Sequence, residues 1–152
     1  KDCDGLVLDI RGRGGNVFVL ERVFSRLRRK SSWLFRGRRW KQPVVLLIDE
    51  NSRSAKEIFA YKFKQERLGP VVGRKTPGAV LGSTFFPLQD GSVLLLPITD
   101  VSMLSGGVRL EGEGVAPTVE VRTPDRWTGG ADPILEEGVR RLNRAIVFRE
   151  AI

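Results

Sequence analysis

The chain has 152 residues, the length of about one domain, and its 41% hydrophobic and 29% charged residues place it in the globular range with enough apolar content for one core. One cysteine, Cys3, and no histidine exclude an internal disulfide, a Cys-rich zinc site, a His-ligated metal and a self-contained Ser-His-Asp or Cys-His catalytic set. The charge of +8 is concentrated: nine basic residues and no acid lie between Arg22 and Lys41, and the other 17 basic residues face 18 acids, so the pI describes one segment. No apolar run approaches the ~20 residues of a membrane span; Val44–Ile48 and Val93–Leu96 have strand length. No signal or transit pattern opens the chain, which starts at Lys1 and reads as cut from something longer. Periplasmic and cytoplasmic settings are equally compatible with it.

Gly5–Ile10 is a short apolar strand closed by the Gly-rich turn Arg11–Asn16. Val17, Leu20, Val23, Phe24 and Leu27 then recur at helical spacing over about three turns. The basic stretch 28–42, with Trp33 and Trp40, lacks a clean period and reads as a loop. Pro43–Asp49 is a continuously apolar, buried strand. A polar segment, Asn51–Ser54, leads into a helix from Ala55 to about Gln65, and Val71-Val72 is a third short strand. From Thr84 to Val121 short strands alternate with turn signals at Asp90-Gly91, Ser105-Gly106-Gly107 and Gly112–Gly114. Asp132 and Pro133 supply an N-cap and a first-turn proline for a last helix over 131–150, with Ile134, Leu135, Val139, Leu142 and Ile146 as its apolar face. The order of elements predicts a mixed α/β domain with parallel pairing at its start, a β-rich second half and a final helix.

Three segments are placed to carry chemistry. The adjacent glycines of Arg11–Asn16 let a ligand approach the backbone, and amides at a helix start can hold an anion; the same pattern is also that of an ordinary tight strand–helix turn. It matches neither a dinucleotide fingerprint nor a P-loop. Ser54 stands between a buried strand and a helix, where nucleophiles are found. Ser54-Ala55-Lys56-Glu57 also satisfies a capping box, and from local spacing alone the cap is the simpler reading. Glu111, between a strand and a glycine turn, either orients a base or is a solvated turn residue, the second being the plainer choice.

Taken in order, GLVLDIRGRGG, PVVLLIDENSRSAKEIFA, GPVVGRKTPGAVLG, LQDGSVLLLP and LEGEGVAPTVEV resemble the catalytic core of the C-terminal processing (tail-specific) serine proteases over about Gly5 to Val121, and 125–142 resembles the segment and helix that end such domains. The resemblance implies a ClpP/crotonase-type α/β spiral of ββα units, with 1–152 a single catalytic core subdomain of a longer protein. It implies Ser54 as nucleophile, and the amides of Ala55 and of a glycine in the first turn, Gly15, as the oxyanion hole. Asn16 stands where many members have a third glycine, so the register at Gly15 is open by one residue.

Members with a Ser-Lys dyad carry lysine after a T-x-G motif; here Thr76-Pro77-Gly78 is followed by Ala79. The Gly69–Gly82 segment is closer to the tricorn branch, in which the base is a histidine oriented by a glutamate three residues before the glycine of a G-V-x-P turn. Glu111 holds that place before Gly114. The resemblance thus implies a serine endopeptidase acting on unstructured polypeptides or C-terminal tails, its general base lying outside these residues, with no cofactor and no metal. It also implies a PDZ-like or other N-terminal domain and a homo-oligomer as settings for the parent chain. The alternative is a degenerate peptide-binding or scaffold domain of the same fold. Lys56 and Lys75 read as solvated charges rather than substitute bases, and nucleic-acid binding through Arg22–Lys41 ranks last among the readings.

Overall fold

The computed structural model describes residues 3–28, 40–122 and 129–150. Most of the basic stretch expected as a loop at 28–42, residues 29–39, lies outside the described residues. In chain order the elements are β1 (Leu6–Asp9), α1 (Val17–Leu27), β2 (Val44–Ile48), α2 (Ala55–Gln65), β3 (Val71–Gly73), β4 (Gly82–Pro87), β5 (Val93–Thr99), a short 3-10 turn (Ser102–Ser105), β6 (Val119–Glu120) and α3 (Pro133–Glu150). Strands β1, β2, β3 and β6 form one parallel sheet in that order, with Leu8 opposite Leu46 and Leu47 opposite Val72. The α/β class, parallel start and final helix are those the sequence predicts.

Strand β2 explains the layering. Val44, Leu46 and Ile48 join the cluster containing Phe24 and Leu27 of α1 and Ile58, Phe59 and Phe63 of α2. Val45 and Leu47 point the other way, to Ile134 and Leu142 of α3. A parallel strand covered on both faces has no polar side, so its sequence is apolar throughout. Each fully buried aliphatic side chain of this strand contributes roughly 1.5–3 kcal/mol. Helices α1 and α2 lie on one face because successive right-handed crossovers place them there. Phe59 joins them, edge-on to Phe24 at 5.7 Å and stacked with Phe63 at 6.3 Å between centroids.

Two helix faces differ from expectation. On α1 the contact with the core begins at Leu20, and Val17 is exposed together with Phe18 and Val19. On α3 the buried stripe is Ile134, Glu137, Gly138 and Leu142, and Leu135 and Val139 are exposed. Gly138 is the cause: a Cβ there would sit 2.6 Å from Leu47 Cδ2, so the helix lies close on the sheet along the 134–138–142 line.

The run of strands expected between Thr84 and Val121 is one antiparallel hairpin, β4–β5, followed by irregular chain up to β6. Glycines 106, 107, 112 and 114 all have positive φ, which an extended strand does not accommodate. The hairpin stands off the main sheet with the side chains of both strands exposed, Phe85, Leu95 and Ile98 among them.

Candidate active site at the carboxyl ends of the strands

Open parallel sheets bind ligands outside the carboxyl ends of their strands. Three loops meet there: Arg11–Asn16 after β1, Asp49–Ser54 after β2 and Arg74–Leu81 after β3. The first two are tied by Asp49, whose carboxylate accepts the N–H groups of Gly12 (3.0 Å) and Asn51 (3.0 Å) and lies 2.8 Å from the hydroxyl of the fully buried Ser52. Lys56 Nζ donates to the carbonyls of Arg11 (3.0 Å), Gly12 (2.9 Å) and Arg13 (3.4 Å). The expectation of a solvated Lys56 is therefore corrected: its ammonium is engaged by the Gly-rich turn. The turn is drawn onto α2 until a Cβ on Gly15 would stand 3.6 Å from Ala55 Cβ and 3.2 Å from Lys56 Cγ.

Ser54 occupies the junction of β2 and α2 at φ 58° and ψ −123°. An L side chain held there stores about 1–3 kcal/mol of strain, which persists only where the surroundings enforce it. They do so through the Ser54 N–H, which donates to Ala79 O at 2.9 Å and to Glu57 Oε2 at 3.2 Å. Ser54 and Glu57 stand as a capping box, with the Ser54 N–H on the Glu57 carboxylate and the Glu57 N–H donating to the Ser54 carbonyl at 2.9 Å. Glu57 does more than the sequence motif implies. Its carboxylate, fully buried, also accepts Thr76 Oγ1–H (2.6 Å) and the N–H groups of Gly78 (2.7 Å) and Ala79 (2.8 Å). A buried carboxylate needs such donors, and these fasten the third loop to the start of α2.

Glu111 arrives on a turn that interlocks with the third loop. Gly112 N–H donates to Gly78 O at 2.8 Å, Val115 N–H to Thr76 Oγ1 at 2.7 Å, and a Cβ on Gly114 would lie 2.1 Å from Thr76 O. The half-buried Glu111 accepts Val80 N–H (2.7 Å) and Leu81 N–H (3.1 Å), both at Oε2. It borders a cleft of about 340 Å³ whose walls include Ile58, Val80, Leu81 and Leu110, with Asp100 and Arg109 also lining it. Of the four site residues, Ser54, Ala55 and Gly15 thus lie together, and Glu111 is connected to them through residues 79–80. Lys75 is exposed, and Glu113, on the Glu111 turn, is exposed too.

At the rim of the site Arg11 makes ion pairs with Asp9 (2.7 Å) and with Asp132, the N-cap of α3 (2.7 Å). Hydrogen bonds to Asp132 and then to Asp9 raise the Arg11 pKa further above its ordinary value. Partial burial pushes Asp9 up, but its bonds to Arg11 outweigh this and leave it lowered. Asp132 is lowered chiefly by its bond to Arg11, against a smaller effect of burial. Among the described residues no group of three or more His, Cys, Asp or Glu is placed to hold a metal. Asp49, Ser52 and Thr76 escaped the sequence reading, which had no local pattern by which to find them, since each acts through a partner on another loop.

The family model "Peptidase family S41" matches residues 18–121. The tricorn protease homolog 1 of Streptomyces coelicolor is 35% identical over 150 residues, covering 90% of this chain and 14% of that protein. Among solved structures, the tricorn protease superposes with a TM-score of 0.71 at 28% identity, over 94% of this chain and 15% of that one. The photosystem II D1 C-terminal processing protease superposes with a TM-score of 0.60 at 26% identity, over 91% and 39%. The chain spans between 12 and 17% of the length of the tricorn-type curated relatives it matches.

Proposed function

The chain belongs to peptidase family S41, and on that premise we propose that it is the catalytic core of a serine endopeptidase in which Ser54 is the nucleophile. The observation that carries this reading is the strained backbone of Ser54, held at the head of α2 by Ala79 and Glu57. A capping serine has no need of φ 58°, since caps ordinarily sit in the β region. Strain at a strand–helix junction is a feature of nucleophiles presented to a substrate.

In the proposed reaction Ser54 Oγ attacks the scissile carbonyl carbon as a base takes its proton. The amides of Ala55 and Gly15, on adjoining loops, bind the oxyanion. The base returns the proton to the leaving amine as the C–N bond breaks, and water then hydrolyses the acyl-enzyme. The base is an imidazole from outside these 152 residues, oriented by Glu111. Hydrogen bonds through residues 79–80 keep Ser54 N and Glu111 Oε2 within about 8 Å of each other. Both amide bonds to Glu111 fall on Oε2, leaving Oε1 for the imidazole. The cleft beside Glu111, where Ile58, Val80, Leu81 and Leu110 stand next to Asp100 and Arg109, would seat a substrate side chain, with unstructured polypeptides or C-terminal tails as the proposed substrates. A PDZ-like or other N-terminal domain and a homo-oligomer are the settings proposed for the parent chain.

Ala79, at the place of the dyad lysine, favours the second reading, a degenerate peptide-binding or scaffold domain. The experiment that decides is labelling of the full-length protein with a fluorophosphonate probe, alongside turnover of an unstructured peptide. Labelling and turnover, both abolished by Ser54→Ala, are expected. A folded full-length protein that neither labels nor cleaves is the degenerate domain.

A further inference from the structure

We propose that Arg109 determines which substrate residue enters the cleft beside Glu111, and that it selects a glutamate side chain. The inference rests on the placing of Glu111 in the active site and names the class of residue that the adjoining cleft receives. Ile58 lines the cleft one helical turn beyond Ser54. Arg109, also in its lining, precedes Glu111 by two residues, a span of at most about 7 Å. A side chain seated there belongs to a residue close to the bond that is cut.

The other polar side chains of the cleft are engaged within the fold. Glu111 accepts the N–H groups of Val80 and Leu81. The Asp100 carboxylate accepts the Ser102 N–H at 2.7 Å. Bonds from the Ser102 amide and hydroxyl hold Asp100 below the ordinary carboxylate range, with a smaller contribution from the charge of Arg109. The buried Ser105 hydroxyl lies 2.8 Å from the carbonyl oxygen of Ser102 and 2.5 Å from that of Val108. Arg109 is different: among the described residues it forms no hydrogen bond and no ion pair, and Asp100 acts on it only through space. An exposed arginine on an open surface is solvated and ordinary. This one lines a concave site in which every other polar side chain already has its partner.

The occupant follows from what the cleft lacks. A guanidinium offers five donors in a planar fork that fits the two oxygens of a carboxylate. Ile58, Val80, Leu81, Ile98 and Leu110 supply apolar wall, which suits the methylene stem that carries a glutamate carboxylate. A lysine would meet Arg109 as a like charge, while the Asp100 carboxylate it needs is taken by Ser102. A free C-terminal carboxylate has the same charge and fork but no stem to cover the apolar wall.

The test is calorimetric titration of full-length protein carrying Ser54→Ala, so that nothing is cleaved. The ligands are three unstructured, C-terminally amidated peptides that differ only in a central Glu, Gln or Lys. The Glu peptide should bind about fivefold more tightly than the Gln peptide, the scale of a partly exposed ion pair, and the difference should shrink with salt. Arg109→Gln should abolish the difference without moving the melting temperature, and Arg109→Glu should turn the preference to the Lys peptide. Equal affinities in the parent, a difference that survives Arg109→Gln, or recovery of the Gln peptide by a free C-terminal carboxylate each overturns the proposal. Fluorophosphonate labelling of the protein with Ser54 intact reports separately on the nucleophile, so failure of that reading is not mistaken for failure of this one.

Discussion

Ser54 and Glu111 hang on the two sides of one peptide unit: the Ala79 carbonyl accepts the Ser54 N–H at 2.9 Å, and the Val80 N–H of the same peptide donates to Glu111 at 2.7 Å. The two residues are 57 positions apart in sequence, yet neither can shift without the other feeling it through this plane. A change at Glu111 must therefore be separated from a general loosening of the loop.

Glutamine makes that separation. In Glu111→Gln the carboxamide oxygen still accepts the Val80 and Leu81 amides, so the melting temperature should stay near that of the parent. Turnover by the full-length protein should fall by roughly 10³-fold or more, as expected when an imidazole loses its orienting carboxylate. The exposed neighbours Glu113→Gln and Lys75→Ala should be nearly neutral. A steady-state assay of the three variants on one unstructured peptide is sufficient. Loss of activity in Lys75→Ala with a silent Glu111→Gln would replace the proposed arrangement with a displaced lysine base.

Ser54→Gly should trade function for stability. Glycine adopts φ 58° without strain, and after its larger unfolded-state entropy is counted the gain should be about 1 kcal/mol. Ser54→Ala keeps the strain and should be close to neutral. Urea unfolding of the two variants reads the difference directly, and equal midpoints would show that the backbone of Ser54 is not strained.

Glu57→Gln should be costly although it is nearly isosteric. The carboxylate faces four donors, from Ser54, Thr76, Gly78 and Ala79, and an amide turns an NH₂ towards some of them. A loss of about 2–3 kcal/mol is expected in urea unfolding. A loss well below this would mean that the donors find other partners.

Acid should loosen the Arg11 clamp. The folded pKa values of Asp9 and Asp132 are lowered, so their contribution is complete above the ordinary carboxylate pKa and is lost as pH falls through the lowered values. Both side chains are partly exposed, so the contribution is modest. Melting temperatures of the parent and of Arg11→Gln should differ most near neutral pH and converge in strong acid. A constant gap at all pH values would contradict the clamp.

The parts of the fold that rest on local pattern were legible beforehand. Val44–Ile48 reads as a strand buried on both faces, and Asp132-Pro133 marks the start of α3. The Ser54–Glu57 spacing marks the start of α2. What the sequence hides is what a residue meets after the chain returns. Glu57 looks like half of a capping box, but three of its four donors come from residues 76–79. Lys56 looks free until the Gly-rich turn, more than forty residues earlier in the chain, presents three carbonyls to it. The orientation of α3 follows from Gly138 meeting Leu47, a contact that no helical period contains. The roles assigned to Ser54, Ala55, Gly15 and Glu111 rest on resemblance, because their local spacing by itself favours plain turns and caps.

The β4–β5 hairpin has a practical consequence for handling the protein. Among the described residues each of its two strands has an unpaired edge, and its apolar side chains project on both sides, an arrangement that invites strand addition between molecules. Pro87 and Pro97 interrupt the row of N–H donors along β4 and β5 respectively, so an added strand would meet a broken ladder on either edge. Purified alone, the chain should stay dispersed only at low concentration. Replacing either proline with a β-branched residue should lower that concentration limit, because it restores a continuous template for aggregation.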